Sequence, residues 1–227
     1  MEKQLKVGII GAGAISPSHV NGYRNAGAEV VAICDIDPAA LARAEANFRI
    51  PVLVDDVEKI YAMDELDAVS VCTPNYLHSP MAVAAMKSGK HVLSEKPMSM
   101  NVEGAQAMVD AAEETGLLLM CGHNQRFLPE CQKAEELVQD GVLGDVYHAK
   151  CGWIRRRGIP GMGGWFTNKE LSGGGPLVDI GIHVLDRTWF MMGRPKPTAV
   201  SGQTYSKFSD IEGYVCTGMW SGPRRPD

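Results

Sequence analysis

Short apolar runs alternate with helix-forming stretches from the first residues of the chain. Leu5 to Ile10, Glu29 to Cys34, Val52 to Val54, Ala68 to Cys72, His91 to Leu93 and Leu117 to Met120 each precede a segment with helix signals. This is the rhythm of repeated βαβ units. The runs are continuous rather than alternating, which predicts parallel strands buried on both faces beneath helices. Residues 1–122 therefore read as a doubly wound α/β domain of the Rossmann type. Ser16-Pro17, Asp37-Pro38 and Ser79-Pro80 each set a capping side chain ahead of a proline, as suits a first helical turn, and Gly89 and Gly116 fall where C-caps belong.

After Cys121 the pattern changes. A helix is predicted over about 129–139, ending at Gly141, followed by a long strand over 146–157 and a glycine-rich loop over 158–175. A second helix over about 176–192 stops before Gly193 and Pro195, and a strand over 199–207 follows. The segment from Ile211 to Asp227 carries no clear periodicity. Residues 123–227 thus form a second, partial α/β domain, thin for a core of its own.

Composition narrows the function classes. The chain has 227 residues, 45% hydrophobic and 22% charged, with a net charge of −5. A negative balance argues against nucleic acid as partner, because phosphate-backbone binding draws on gathered Lys and Arg. No apolar run reaches the roughly 18 residues of a membrane span, and the charged start leads straight into a strand, so the cytoplasm is the expected location. The six cysteines, Cys34, Cys72, Cys121, Cys131, Cys151 and Cys216, contain no CxxC pair and read as reduced, mostly buried thiols.

Candidate chemistry begins at the first turn. Gly11-Ala12-Gly13-Ala14-Ile15-Ser16 joins the first strand to a helix. Gly11 allows a tight turn, Gly13 admits a pyrophosphate close to the backbone, and the helix N-terminus offers free N–H groups to the anion. Ser16 stands where Gly or Ala is usual. Asp35 ends the second strand 22 residues after Gly13, where a carboxylate accepts ribose hydroxyls and repels a 2′-phosphate, which favours NAD over NADP. Thr73-Pro74-Asn75 closes the fourth strand at the edge a dinucleotide crosses. Thr73 and Asn75 are candidates to bond it, although a plain turn explains them too. His78 is a further cofactor candidate beside a surface or capping role.

The fifth strand ends in Glu95-Lys96-Pro97. A lysine there suits proton transfer at a substrate hydroxyl, while a solvated Glu-Lys pair is the competing explanation. Gly173-Gly174-Gly175 leads into a helix carrying Asp179 and His183, four apart and so on one face. They could offer a carboxylate and an imidazole to one point, or form a wet intrahelical pair. No third ligand recurs near them, so no metal is expected.

Taken together, Gly11-Ala12-Gly13, Asp35, Thr73-Pro74-Asn75, Glu95-Lys96-Pro97 and Gly173-Gly174-Gly175 with Asp179, Gly181 and His183 resemble the glucose-fructose oxidoreductase, inositol dehydrogenase and MocA family over residues 5–206. The resemblance implies an N-terminal Rossmann domain for NAD(P) and a C-terminal α/β domain with an open mixed sheet. It places Lys96, Asp179 and His183 at catalytic positions, with Gly11, Gly13, Ala14, Ile15, Asp35, Thr73, Pro74, Asn75, His78, Glu95 and Lys96 around the cofactor and Pro97 often cis. Asn124, Arg126 and Trp165 fall in segments that approach the substrate, although core packing explains Trp165 as well. The family's second domain runs several strands longer than this chain, so an incomplete second domain with an unpaired sheet edge is expected, and a homo-oligomer is a candidate assembly that this edge puts in doubt. The implied activity is oxidation of a secondary hydroxyl on a sugar, cyclitol or related polyol. A non-catalytic dinucleotide-binding fragment and an NADP-linked imine or lactone reductase are the alternatives.

Overall fold

Six strands form one sheet in the computed structural model of the chain: Lys6–Ile10 (β1), Glu29–Cys34 (β2), Val52–Val54 (β3), Ala68–Val71 (β4), His91–Ser94 (β5) and Leu119–Cys121 (β6). Their order is β3-β2-β1-β4-β5-β6, and all five pairings are parallel. The structure describes residues 3–155 and 164–205. Because the strand order reverses at β1, a crevice opens between the carboxyl ends of β1 and β4, where doubly wound sheets take their ligands.

Helices Ser16–Asn25 (α1), Pro38–Phe48 (α2), Val57–Tyr61 (α3), His78–Lys87 (α4) and Val102–Thr115 (α5) connect these strands. Alternation along β1 divides the core, and β2 departs from it at Val31 and Ala32, which share a cluster where its register with β1 shifts. Val7, Ile9, Val30 and Ile33 pack with Val20, Ala40 and Ala44 in one cluster, while Ile10, Val31, Val69 and Val92 pack with Ala82, Met86 and Met108 in another. Both faces are buried, which is why the strands read as unbroken apolar runs.

The proline signals locate the helices better than they locate the caps. Asp37 caps α2 by accepting from Ala39 N at 2.9 Å. Ser16 and Ser79 do not cap, contrary to the sequence expectation. Ile15, at the N-cap of α1, already has helical backbone angles, so Ser16 lies inside the helix and donates to Gly13 O at 2.9 Å. A 3-10 turn over Asn75–Leu77 starts the helical path early, and Ser79 is drawn into α4, where it donates to Gly104 O at 2.8 Å.

The chain divides into two compact units between Gly122 and His123. In the second, Pro129–Gln139 (α6) packs on Ile182–Met191 (α8), and Lys169–Ser172 (α7) precedes the triple glycine. A π-helical turn over Leu177–Gly181 runs directly into α8. The strands expected over 146–157 and 199–207 do not form among the described residues of those spans. Tyr147, Ile154 and Val200 are 92%, 98% and 92% exposed. An extended segment becomes a strand only when a neighbour takes up its N–H and C=O groups, and no described residue does so here. Arg156, Arg157, Ser206 and Lys207 lie outside the described residues. Among the described residues, no helix is long and apolar enough to cross a membrane.

Candidate functional site

The turn after β1 is fitted against the end of β4. Gly11 has φ +100°, and a Cβ there would stand 2.7 Å from the backbone oxygen of Cys72, so only glycine is accommodated. Gly13 is the opposite case: it is exposed, and nothing lies within 4 Å of where its Cβ would be. The turn is tight on its protein side and open on its outer side, as close approach of a ligand to the backbone requires. Ala14 and Ile15 are exposed on the same rim.

Asp35 stands at the end of β2 and bonds two backbone amides. Its Oδ2 accepts from Ala12 N at 2.7 Å and its Oδ1 from Asp37 N at 2.8 Å. Each carboxylate oxygen retains acceptor capacity for a ribose hydroxyl. On the facing side, Thr73 Oγ1 is buried with no hydrogen-bond partner, and Asn75 is buried. An orphaned hydroxyl is costly in a protein interior, and a ligand oxygen would satisfy it. Open rim, unsatisfied hydroxyl and half-exposed carboxylate together fit a dinucleotide laid across the crevice.

Lys96 follows β5 at the same carboxyl edge, joined to Pro97 by a cis peptide bond. The solvated Glu95-Lys96 pair is not what forms. Glu95 has a side chain 17% exposed, and its Oε1 meets His19 Nε2 at 2.9 Å. Its Oε2 accepts from Lys96 N at 3.1 Å. Burial alone would raise the Glu95 pKa, but the bond and charge of His19 and the bond and charge of Lys96 outweigh it and hold the carboxyl below the ordinary range. Glu95, expected among the cofactor contacts, is engaged inside the protein.

His78 is likewise engaged inside the protein. Its ring is 1% exposed, with Nδ1 2.7 Å from Pro97 O and Nε2 2.9 Å from Thr73 O. Both nitrogens face backbone carbonyls, so the ring braces the loop. An imidazolium would donate to both carbonyls, whereas a neutral ring donates to one. Burial nevertheless pushes the His78 pKa down against the pull of the two carbonyls.

In the second unit, Asp179 lies in the π turn and His183 in the first turn of α8, both half-buried. The wider π turn keeps a four-residue spacing close to one full turn, and such turns are frequent at functional sites. The His183 ring lies 6.1 Å from that of Trp153, tilted by 48°. Gly174 leaves room for this turn, since a Cβ there would stand 2.6 Å from Val178 Cγ2. Asn124 is exposed at the start of a 3-10 turn, and Trp165 stacks on Phe166 at 3.9 Å between centroids. Arg126, expected to approach substrate, forms a two-pronged pair with the buried Asp186. Its Nε donates to Oδ2 at 2.8 Å and its Nη2 to Oδ1, with Trp189 and Phe190 within 6 Å of the guanidinium. Among the described residues, no group of three or more His, Cys, Asp or Glu is placed to hold a metal ion.

His19, Tyr23 and Ser70 were not among the sequence candidates. His19 Nδ1 lies 3.0 Å from Ser70 Oγ, which lies 2.8 Å from Tyr23 OH. The signal was present: His19 and Tyr23 are four apart on one helix, and Ser70 interrupts the apolar run of β4.

The family model described as an oxidoreductase family with an NAD-binding Rossmann fold, GFO/IDH/MocA, matches residues 5–123, and the GFO/IDH/MocA C-terminal domain matches residues 131–217. The chain is 38% identical over 222 residues to the D-glucoside 3-dehydrogenase of Escherichia coli (strain K12), covering 95% of this chain and 62% of that protein. It is 32% identical over 200 residues to the 1,5-anhydro-D-fructose reductase of Ensifer adhaerens, covering 86% and 58%. Levoglucosan dehydrogenase in complex with NADH matches with a TM-score of 0.73 at 26% identity, over 84% of this chain and 54% of that one. The chain thus spans less than two thirds of each of these proteins.

Proposed function

The chain belongs to the GFO/IDH/MocA oxidoreductase family, and from that premise we propose that it serves NAD-dependent hydride transfer at a secondary hydroxyl of a sugar, cyclitol or related polyol. The observation that carries this reading is Lys96, set at the carboxyl edge of β5 on a partly buried turn, in the same crevice edge as the Gly11 turn and Thr73. Bound NAD supplies the hydride acceptor. The amides at the start of α1, reached over Gly11, Gly13, Ala14 and Ile15, hold the pyrophosphate. Asp35 accepts the adenosine ribose hydroxyls and opposes a 2′-phosphate, which makes NAD the preferred cofactor over NADP. Thr73, Pro74 and Asn75 line its path.

Lys96 bonds the substrate hydroxyl and assists removal of its proton. His183 is the second proton-handling group, and Asp179 bonds a substrate hydroxyl and favours the imidazolium of His183. Three polar residues of this kind suit a substrate dense in hydroxyls. The printed names of the relatives, a glucoside dehydrogenase, an anhydrofructose reductase and a levoglucosan dehydrogenase, support a carbohydrate substrate.

The test is Lys96→Ala assayed with NAD across a panel of polyols and sugars, alongside NADH fluorescence titration. Turnover is expected to vanish while NADH affinity stays within about threefold, the signature of a group acting on the reacting centre. Unchanged turnover removes Lys96 from the mechanism.

A further inference from the structure

The tripeptide Glu95-Lys96-Pro97 is gripped at each of its residues. His19 Nε2 holds the Glu95 carboxylate at 2.9 Å, that carboxylate accepts from Lys96 N at 3.1 Å, and His78 Nδ1 holds Pro97 O at 2.7 Å. Two of the three grips are histidines, and the far side of each ring is anchored in the crevice wall. His19 belongs to α1, the helix whose N-terminus faces the Gly11 turn, and its Nδ1 is fixed through Ser70 to Tyr23 of the same helix. His78 opens α4, and its Nε2 lies 2.9 Å from Thr73 O, so a neutral ring donates to one of the two carbonyls and packs against the other, on the residue whose hydroxyl is orphaned. One brace therefore runs from the lysine turn to the phosphate-facing helix and the other to the end of β4.

These bonds are more than generic core satisfaction. A glutamate at the end of a strand can remain in water, and Pro97 O can take a backbone donor. Here both are met by imidazoles spanning 76 and 19 residues of sequence and converging on one tripeptide. Proton transfer demands such placement, because displacement of a reacting group by about 1 Å can lower the rate on the order of 100-fold.

We infer that His19 and His78 are positioning residues for Lys96, bracing its turn against both walls of the dinucleotide crevice so that a cofactor seated on α1 and Thr73 also sets where the lysine ammonium stands. This rests on the reading of Lys96 as the proton-handling group. Neither ring touches substrate; each acts through the backbone or carboxylate of the turn.

The experiment compares the whole chain with His19→Gln and His78→Gln, which keep polar side chains and guard against loss of folding, and with the corresponding alanine variants where those fold. On a polyol turned over by the unaltered protein, kcat is expected to fall about 10- to 100-fold in each variant, with KM and the NADH dissociation constant within about threefold. Unchanged kcat in folded variants, whatever their melting temperature, would overturn the inference. A second readout needs no turnover. Lysines are 13C-dimethylated, and the Lys96 resonance is identified by its absence in Lys96→Ala. Saturating NADH is expected to move that resonance in the unaltered protein and to move it less than half as far in the histidine variants. Equal movement in all three would overturn the brace. Turnover that survives Lys96→Ala would instead overturn the role of the lysine, so the two failures are distinct.

Discussion

Ala12 donates its backbone N–H to Asp35 Oδ2 across 2.7 Å, tying the turn after β1 to the end of β2. One carboxylate thereby shapes the glycine turn and, in the proposed role, has acceptor capacity left for a ribose. Asp35→Ser is expected to weaken NADH binding by about tenfold or more, from loss of a charge-assisted acceptor, and to narrow the gap between NADH and NADPH. Fluorescence titration with both cofactors checks this. An unaltered protein that prefers NADPH would remove Asp35 from cofactor selection.

The two glycines of the turn separate stability from binding. Gly11→Ala meets both a φ of +100° and the Cys72 backbone oxygen at 2.7 Å, so it is expected to cost about 2–4 kcal/mol. Gly13→Ala meets nothing within 4 Å, and its unfolding midpoint in urea should hardly move. Its NADH affinity should nonetheless fall, because the added methyl occupies the open rim. Equal loss of stability in both variants would contradict this division.

Glu95 gives a pH dependence with a definite sign. Its folded pKa lies below the ordinary 4.5, because the bonds and charges of His19 and Lys96 overcome the opposing effect of burial. A depressed carboxyl contributes stability that is fully present above the unfolded value and is lost as pH falls through the folded one. Urea midpoints should therefore decline more steeply below about pH 4.5 in the unaltered protein than in Glu95→Gln. Parallel declines would show that Glu95 titrates alike in both states.

The sheet was legible in the sequence because parallel strands buried on both faces leave unbroken apolar runs, and the glycine turn because its chemistry is local. The bonds of Glu95 to His19 and of His78 to Pro97 were not legible because the partners are 76 and 19 residues apart, a pairing that spacing does not reveal. Ser16 and Ser79 failed as caps because the helical path begins one step earlier than their prolines suggest. The strands expected around Val146 and Ala199 failed because a strand is a property of a pair. Tyr147 and Val200 have the right chemistry and no described neighbour.

Arg126 illustrates the same difficulty in the second unit and yields a prediction of its own. From sequence it was a candidate for substrate; in the structure its guanidinium pairs with the buried Asp186, with Trp189 and Phe190 within 6 Å. Removing one member of such a pair strands the other, so Asp186→Ala should destabilise the unit by about 1–3 kcal/mol, below the range for a fully buried pair because Arg126 is partly exposed. Arg126→Met should cost less than Asp186→Ala: its apolar stem keeps contact with the aromatic rings, and His123, whose Nδ1 lies 3.7 Å from Oδ2, stays beside the Asp186 carboxylate. Denaturation of both variants and of the double variant measures the coupling. A coupling energy indistinguishable from zero would show that the pair is geometric only and would return Arg126 to the candidates for substrate contact.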